Sequence, residues 1–343
     1  MGNNPFVTVI MPVFNSELYI EEAINSIINQ SYKNFEFLIF DDGSTDNSLA
    51  LIKKYKDKRL TVFHHSVNTG YVRHLNEGLK LAKGDFIARM DADDIAKPDR
   101  LQKQLSYLIT NPDVGVCGSQ VELFGDRLDK MMVPKDHESI RIALMSYCPI
   151  WHPTVMIRKS LMAENNSNYN TAFLYAEDYD LWTQLINRTR FHNLDEMLLK
   201  YRIHNQQVSS TKKSIQRKES GLIIYNYLQG LGFNLGILTP DFVGCLSIYA
   251  DESDSVDKYS NFIKMARLIC FQNLKLKVFK QLDLNLFFSQ LWEMALNQIL
   301  KYSPGLIIPV FLSHKPFKST LSLTTKLKIG VKSLISWNTR VHV

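Results

Sequence analysis

Apolar and polar positions come in alternating short and long blocks along the first hundred residues. Phe6–Val13 is an apolar, β-branched run closed by Pro12, which predicts a buried strand. In the next segment Ile20, Ala23, Ile24, Ile27 and Ile28 recur at helical spacing. They predict a helix with one apolar stripe, capped by Asn15 or Ser16, with Glu17 in its first turn. Further strands are predicted at Phe35–Phe40, Leu60–Phe63 and Asp85–Met90, with helices through Leu49, Ile52 and Tyr55, over Tyr71–Ala82, and over Lys97–Thr110 with Pro98 in the first turn. Gly84 closes the third helix. From about residue 151 the pattern is mixed: a strand at Thr154–Ile157, a helix opening at Ala176 and running to about Asn187, and a strand ending over Lys200–His204. Beyond about 216 it is helical, without the dense turn punctuation of β structure.

Strands alternating with helices imply an α/β fold, with a mostly parallel sheet and helices on both faces. Such sheets bind ligands beyond the carboxyl ends of their strands. Here those ends are the most polar segments, Pro12–Asn15, Asp41–Ser44 and Asp91–Asp94.

Composition narrows the class. A chain of 343 residues, 45% hydrophobic and 22% charged, is neither disordered nor collagenous, and its length suggests two or three domains. The expected division is 1–215 and 216–343. The net charge is +6, and the whole positive surplus lies after residue 216; from Met294 onward there is no acid. Lys315, Lys318, Lys326, Lys328 and Lys332 alternate there with Leu306, Phe311, Phe317, Leu327 and Trp337. This tail reads either as a helical cap with a solvated lysine face or as a patch for a membrane surface or an acceptor. No motif supports nucleic-acid binding. Cys117, Cys148, Cys245 and Cys270 are isolated, which suits a reducing compartment and argues against a zinc knuckle. No basic region precedes the first apolar run, and no apolar stretch reaches about 18 residues. The expected location is cytoplasmic, peripheral on the inner face of the plasma membrane if the tail meets lipid.

Two acidic segments carry candidate chemistry. Asp91 and Asp93, two residues apart after a strand, point the same way and can share one hard cation; the other reading is a solvated turn capping the next helix. Asp41-Asp42-Gly43-Ser44 can accept hydrogen bonds from a base or ribose, or be an ordinary βα turn. Neither a P-loop nor a GxGxxG pattern occurs.

Taken in order, the segments PVFN (12–15), DDGSTD (41–46), NTG (68–70), NEG (76–78), GDFIARMDADD (84–94), AEDYDLW (176–182) and YRIHNQQVSS (201–210) resemble a family 2 glycosyltransferase. The resemblance covers about residues 5–210. It implies a GT-A (Rossmann-like) fold and transfer of a sugar, with inversion, from a nucleotide-diphosphate donor, foremost a UDP-sugar. The implied acceptor is a growing surface glycan or a lipid-linked oligosaccharide, and the implied cofactor is Mn2+ or Mg2+. It places Pro12, Phe14, Asn15 and Glu17 around the uridine and Asp42 on the base with Asp41 nearby. Asn68, Asp91 and Ala92 fall on the donor side. Asp93, His204 and Asp91 are implied at the metal, Asp178 as base, and Glu177 at sugar or acceptor hydroxyls. His152 and Trp182 are implied near the acceptor, although Trp182 also fits a core position. Where relatives carry Arg before the Asn of the NxG segment, this chain has Leu75, and Arg73 is the candidate substitute. The competing reading is a GT-A-like protein that binds nucleotide sugar or glycan without turnover. Oligomeric state is not legible.

Overall fold

The computed structural model describes residues 5–164, 167–207, 211–247 and 256–302. The basic-tail lysines from Lys315 onward lie outside the described residues. Among the described residues the chain forms two compact units, one from 1–141 with 148–216, the other from 142–147 with 217–343.

The first unit opens with β1 (Val7–Val13), α1 (Ile20–Ile28), β2 (Phe35–Asp42), α2 (Ser48–Ile52), β3 (Leu60–His65), α3 (Tyr71–Leu81) and β4 (Phe86–Arg89). It continues with β5 (Ile95–Ala96), α4 (Arg100–Thr110), β6 (Val114–Gly125), β7 (Asp129–Met131), α5 (His137–Ala143), β8 (Met156–Arg158), α6 (Lys159–Glu164), α7 (Glu177–Leu185) and β9 (Arg190–Ile203). The strands build one mixed sheet in the order β3-β2-β1-β4-β8-β6-β9-β5, with β7 on β6. The first four in that order are parallel, as is the long β6–β9 pair, while β8 runs against β4 and β6. β1 and β2 are buried at every position, as central strands covered on both faces must be. The stripe Ile20, Ala23, Ile24 and Ile27 of α1 is buried against this core.

Three local expectations are corrected. The N-cap position of α1 is Tyr19, without a side-chain cap; Asn15 instead takes a left-handed turn (φ 47°), and the Ser16 carbonyl accepts from the Tyr19 and Ile20 amides. Pro98 lies before α4, which starts at Arg100. The long strand β6 did not stand out in the pattern because Gly115, Gly118, Ser119 and Gln120 interrupt its apolar run. Gln120 is buried nonetheless, because its amide pairs with the Val133 backbone on both sides.

The second unit is helical: α8 (Lys213–Gly230), α9 (Pro240–Val243), α10 (Val256–Leu276) and α11 (Gln281–Tyr302). Phe262 of α10 stacks on Trp292 of α11 with ring centroids 6.2 Å apart, and Phe288 meets Phe262 edge-on. No helix among the described residues is long and apolar enough to cross a membrane.

Candidate functional site

The carboxyl ends of β1 and β2 are latched loop to loop. The Thr45 amide donates to Asn15 Oδ1 (2.8 Å), and the Asn15 amide donates to Ser44 Oγ (3.0 Å). Glu17 Oε2 accepts from the Asn47 amide and side chain, and Asp46 accepts from the Glu17 amide. The side chains of Asn15 and Glu17 therefore shape this edge, and Phe14, 47% exposed, is the aromatic face it presents. Pro12 is buried in β1.

Asp41 and Asp42 are both buried. Asp41 Oδ2 meets His64 Nδ1 at 2.7 Å, while Oδ1 is shielded from solvent without a hydrogen-bond partner. Asp42 receives the Thr69 amide (2.7 Å), the Gly70 amide (2.9 Å) and His74 Nε2 (2.7 Å). Its carboxylate thus fastens the turn 68–70 against the end of β2, a restraint on the base-side role implied for it. Gly43 (φ 71°) is required there, since a Cβ would come within 2.9 Å of the Asn68 nitrogen. Asn68 itself is exposed.

The acidic segment follows β4. Carboxylate oxygens of Asp91, Asp93 and Asp94 all lie within 4.8 Å of one another. Asp91 pairs with the buried guanidinium of Arg89, two residues earlier on the same side of the strand. Burial pushes the Asp91 carboxyl up to about 6 against the pull of Arg89, with Asp93 adding repulsion. Burial, then the charges of Asp93 and Asp91, raises Asp94 well above the usual carboxylate range. Asp93 Oδ2 lies 2.9 Å from His204 Nε2. Arg202 explains how the end of β9 reaches this loop: its amide donates to Asp94 Oδ1 (2.8 Å), its Nε donates to the Asp93 carbonyl (2.8 Å), and its guanidinium lies between the Tyr19 and Phe124 rings. Ala92 is buried between the acids. Oxygen donors with one imidazole fit Mn2+ or Mg2+ in donor type.

The other wall is the start of α7. The Tyr71 hydroxyl donates to Glu177 Oε2 (2.7 Å), and His152 Nδ1 lies 3.4 Å from Glu177 Oε1. His152 Nε2 meets the Tyr169 hydroxyl at 2.9 Å, and burial, then Arg89, holds the ring neutral well below its ordinary pKa. Asp178 is partly exposed, receives the Tyr179 amide and is raised by burial and by Glu177. Arg89 acts electrostatically on Glu177, Asp91 and Asp178 alike. Gly70, held by Asp42, adjoins Tyr71, held to Glu177. Contacts thus link the end of β2 to α7, and the loop after β4 to the end of β9, with the Arg89 charge acting on both sets.

Trp182 corrects an expectation. It is 0% exposed, edge-on to Phe191 and behind His152, so it is a core residue and not a sugar platform. Leu75 is likewise buried in the core, whereas Arg73 sits on the exposed side of α3. The residues not singled out in the sequence are Arg89, Tyr71, Tyr169, His74, Asp94 and Arg202. For Arg89 a signal existed: it is a lone cation in the apolar strand β4, two residues before Asp91.

An acid-and-imidazole cluster at the strand ends of such a sheet, with a Glu-Asp pair at a helix start, defines a glycosyltransferase of the GT-A type. The model of glycosyl transferase family 2 matches residues 8–173, and the chain belongs to that family. An uncharacterized glycosyltransferase of Haemophilus influenzae is 35% identical over 280 residues, 75% of this chain and 85% of the relative. The O-antigen biosynthesis glycosyltransferase WbnJ of Escherichia coli is 34% identical over 216 residues, 61% of this chain and 82% of the relative. In fold, the chain is similar to S. aureus TarS in complex with UDP-GlcNAc, with TM-score 0.55, 21% identity, and 85% and 81% of the two chains covered. It is also similar to the mannosyltransferase PcManGT from Pyrobaculum calidifontis in complex with GDP-Man and Mn2+, with TM-score 0.53, 17% identity, and 96% and 87% covered.

Proposed function

We propose that the chain transfers a sugar from a nucleotide-diphosphate donor, foremost a UDP-sugar, to a glycan or lipid-linked acceptor in surface polysaccharide synthesis, with inversion. The relatives' names support the glycan context: WbnJ is an O-antigen enzyme, and WfgD of E. coli acts on a diphosphoundecaprenol-linked sugar. The observation that carries the reading is the contact of Asp93 with His204, beside Arg89, whose charge acts on both Asp91 and Glu177. Phe14 and the latched loops after β1 and β2 shelve the base, and Asn68 lies on the turn beside them. Asp93, His204 and Asp91 would hold Mn2+ or Mg2+, which when bound offsets charge on the departing diphosphate. Asp178 takes the proton from the acceptor hydroxyl as its oxygen attacks the anomeric carbon and the bond to the diphosphate breaks. Burial raises this base toward working pH, which favours proton transfer. Glu177, fixed by Tyr71 and His152, orients hydroxyls beside it.

The organisation proposed for the whole chain is a catalytic region to about residue 215 and a basic helical region after it that rests on an anionic membrane surface. A panel of nucleotide sugars with Mn2+, read by released nucleoside diphosphate, tests the reading. Release from one UDP-sugar well above the others is expected, and no release from any donor would contradict it. Liposome co-sedimentation of the full chain against a chain ending near residue 293 tests the membrane role; equal binding of the two would contradict it.

A further inference from the structure

A second cluster of ligating side chains lies at the end of β3 and on the first turns of α3. His65 Nε2 is 3.2 Å from Glu77 Oε2, His74 Nδ1 is 3.5 Å from the same oxygen, and the three ligand atoms lie within 4.8 Å of one another. His74 and Glu77 are three residues apart and so share one face of α3. Two imidazole nitrogens and a carboxylate oxygen bound to one zinc ion at ~2.0–2.2 Å in a tetrahedron stand ~3.3–3.5 Å apart, close to the two histidine–Glu77 distances here. His65 Nε2 is shielded from water yet out of hydrogen-bonding geometry with Glu77, as expected of a lone pair aimed at a point between the groups rather than at the oxygen.

The outer shell matches as well. His74 is buried, and its other nitrogen, Nε2, lies 2.7 Å from Asp42 Oδ1. A ring that donates Nε2–H to a carboxylate has its tautomer fixed, with Nδ1 left as a more basic ligand. Hydrogen bonding alone accounts less well for the cluster, because one carboxylate oxygen at 3.2 and 3.5 Å serves both rings weakly.

We infer that His65, His74 and Glu77 form a metal site for a zinc-class divalent ion, distinct from the oxygen-rich site at Asp91 and Asp93. Mixed imidazole and carboxylate ligation prefers zinc, cobalt or nickel over magnesium. Such an ion would tie the end of β3 to α3 across the turn 66–70, whose amides Asp42 holds. Metal at this site therefore stiffens the edge proposed to carry the nucleotide.

The test uses the full-length, metal-stripped chain titrated with Co2+ and Zn2+ in excess Mg2+. Visible absorption of low-coordinate Co2+ and displacement by Zn2+ are read for wild type, His65→Gln, Glu77→Gln and Asp93→Ala. His65 and Glu77 are 34% and 36% exposed, so their substitutions leave the core intact. Expected is one Zn2+-displaceable Co2+ in wild type and Asp93→Ala, with affinity reduced at least about tenfold in His65→Gln and Glu77→Gln. Equal binding by wild type and both β3–α3 variants, or loss of the signal in Asp93→Ala alone, would overturn it. Neither outcome depends on the donor or acceptor.

Discussion

His204 Nε2 lies 2.9 Å from Asp93 Oδ2, although 111 residues separate them in the chain. The contact exists because Arg202, two residues before the histidine, is bonded to the backbone of Asp93 and the side chain of Asp94. The end of β9 is thereby fixed to the loop after β4, and an imidazole joins the carboxylates where the diphosphate is proposed to bind.

Removing Asp93 should abolish the dependence of UDP binding on Mn2+. His204→Ala should weaken that dependence by about 10–100-fold. Calorimetric titration of UDP with and without Mn2+ checks both. A metal response in Asp93→Ala equal to wild type would refute the ligand role.

Arg89 is the buried cation that lets Asp91 ionise near neutrality. Replacing it with Met leaves the half-buried Asp91 carboxylate unpaired, and the expected loss of stability is up to about 3 kcal/mol, the low end for a buried pair. Combining Arg89→Met with Asp91→Asn should recover part of that loss. In a double-mutant cycle by urea unfolding, the two effects should fail to add by more than about 1 kcal/mol. Simple additivity would show that the pair is not coupled.

His152 gives a pH signature. Its folded-state pKa lies well below its ordinary 6.5, so the unfolded chain takes up the proton first as pH falls. The neutral ring contributes stability that is present above about pH 6.5 and lost below it, at up to about 1.4 kcal/mol per pH unit. Between pH 7 and 5, His152→Gln should lose stability less steeply than wild type in denaturant titrations. Equal slopes would show that the ring is not held neutral.

Trp182 separates core from platform. Trp182→Phe should lower stability by about 1–3 kcal/mol while leaving the KM for acceptor within about twofold, because the ring does not reach the surface. A large rise in acceptor KM with unchanged melting temperature would restore a sugar-binding role.

Much of the fold was legible because β1 and β2 are nearly unbroken apolar runs and α1 keeps one helical stripe. β6 was not, because buried Gly, Ser and Gln positions interrupt its apolar run. Of the residues that the motif order picks out, Asp93 and His204 are in contact and Asp91 lies beside them, while the roles given to them and to Asp178 are proposals. The site was not legible where side chains serve one another. Asn15, Glu17 and Asp42 look like ligand contacts in the sequence, yet in the fold they also lock loops together. Arg89, hidden in an apolar strand, has its role defined only by Asp91, Glu177 and Asp178 around it.

The most direct test of the proposed chemistry compares wild type with Asp178→Asn in the presence of Mn2+ and the donor best turned over in the panel. Transfer should fall by about 10²–10⁴-fold while the Kd for donor stays within about threefold. Near-normal turnover in Asp178→Asn, or loss of donor binding without loss of turnover per bound donor, would contradict a base at this position.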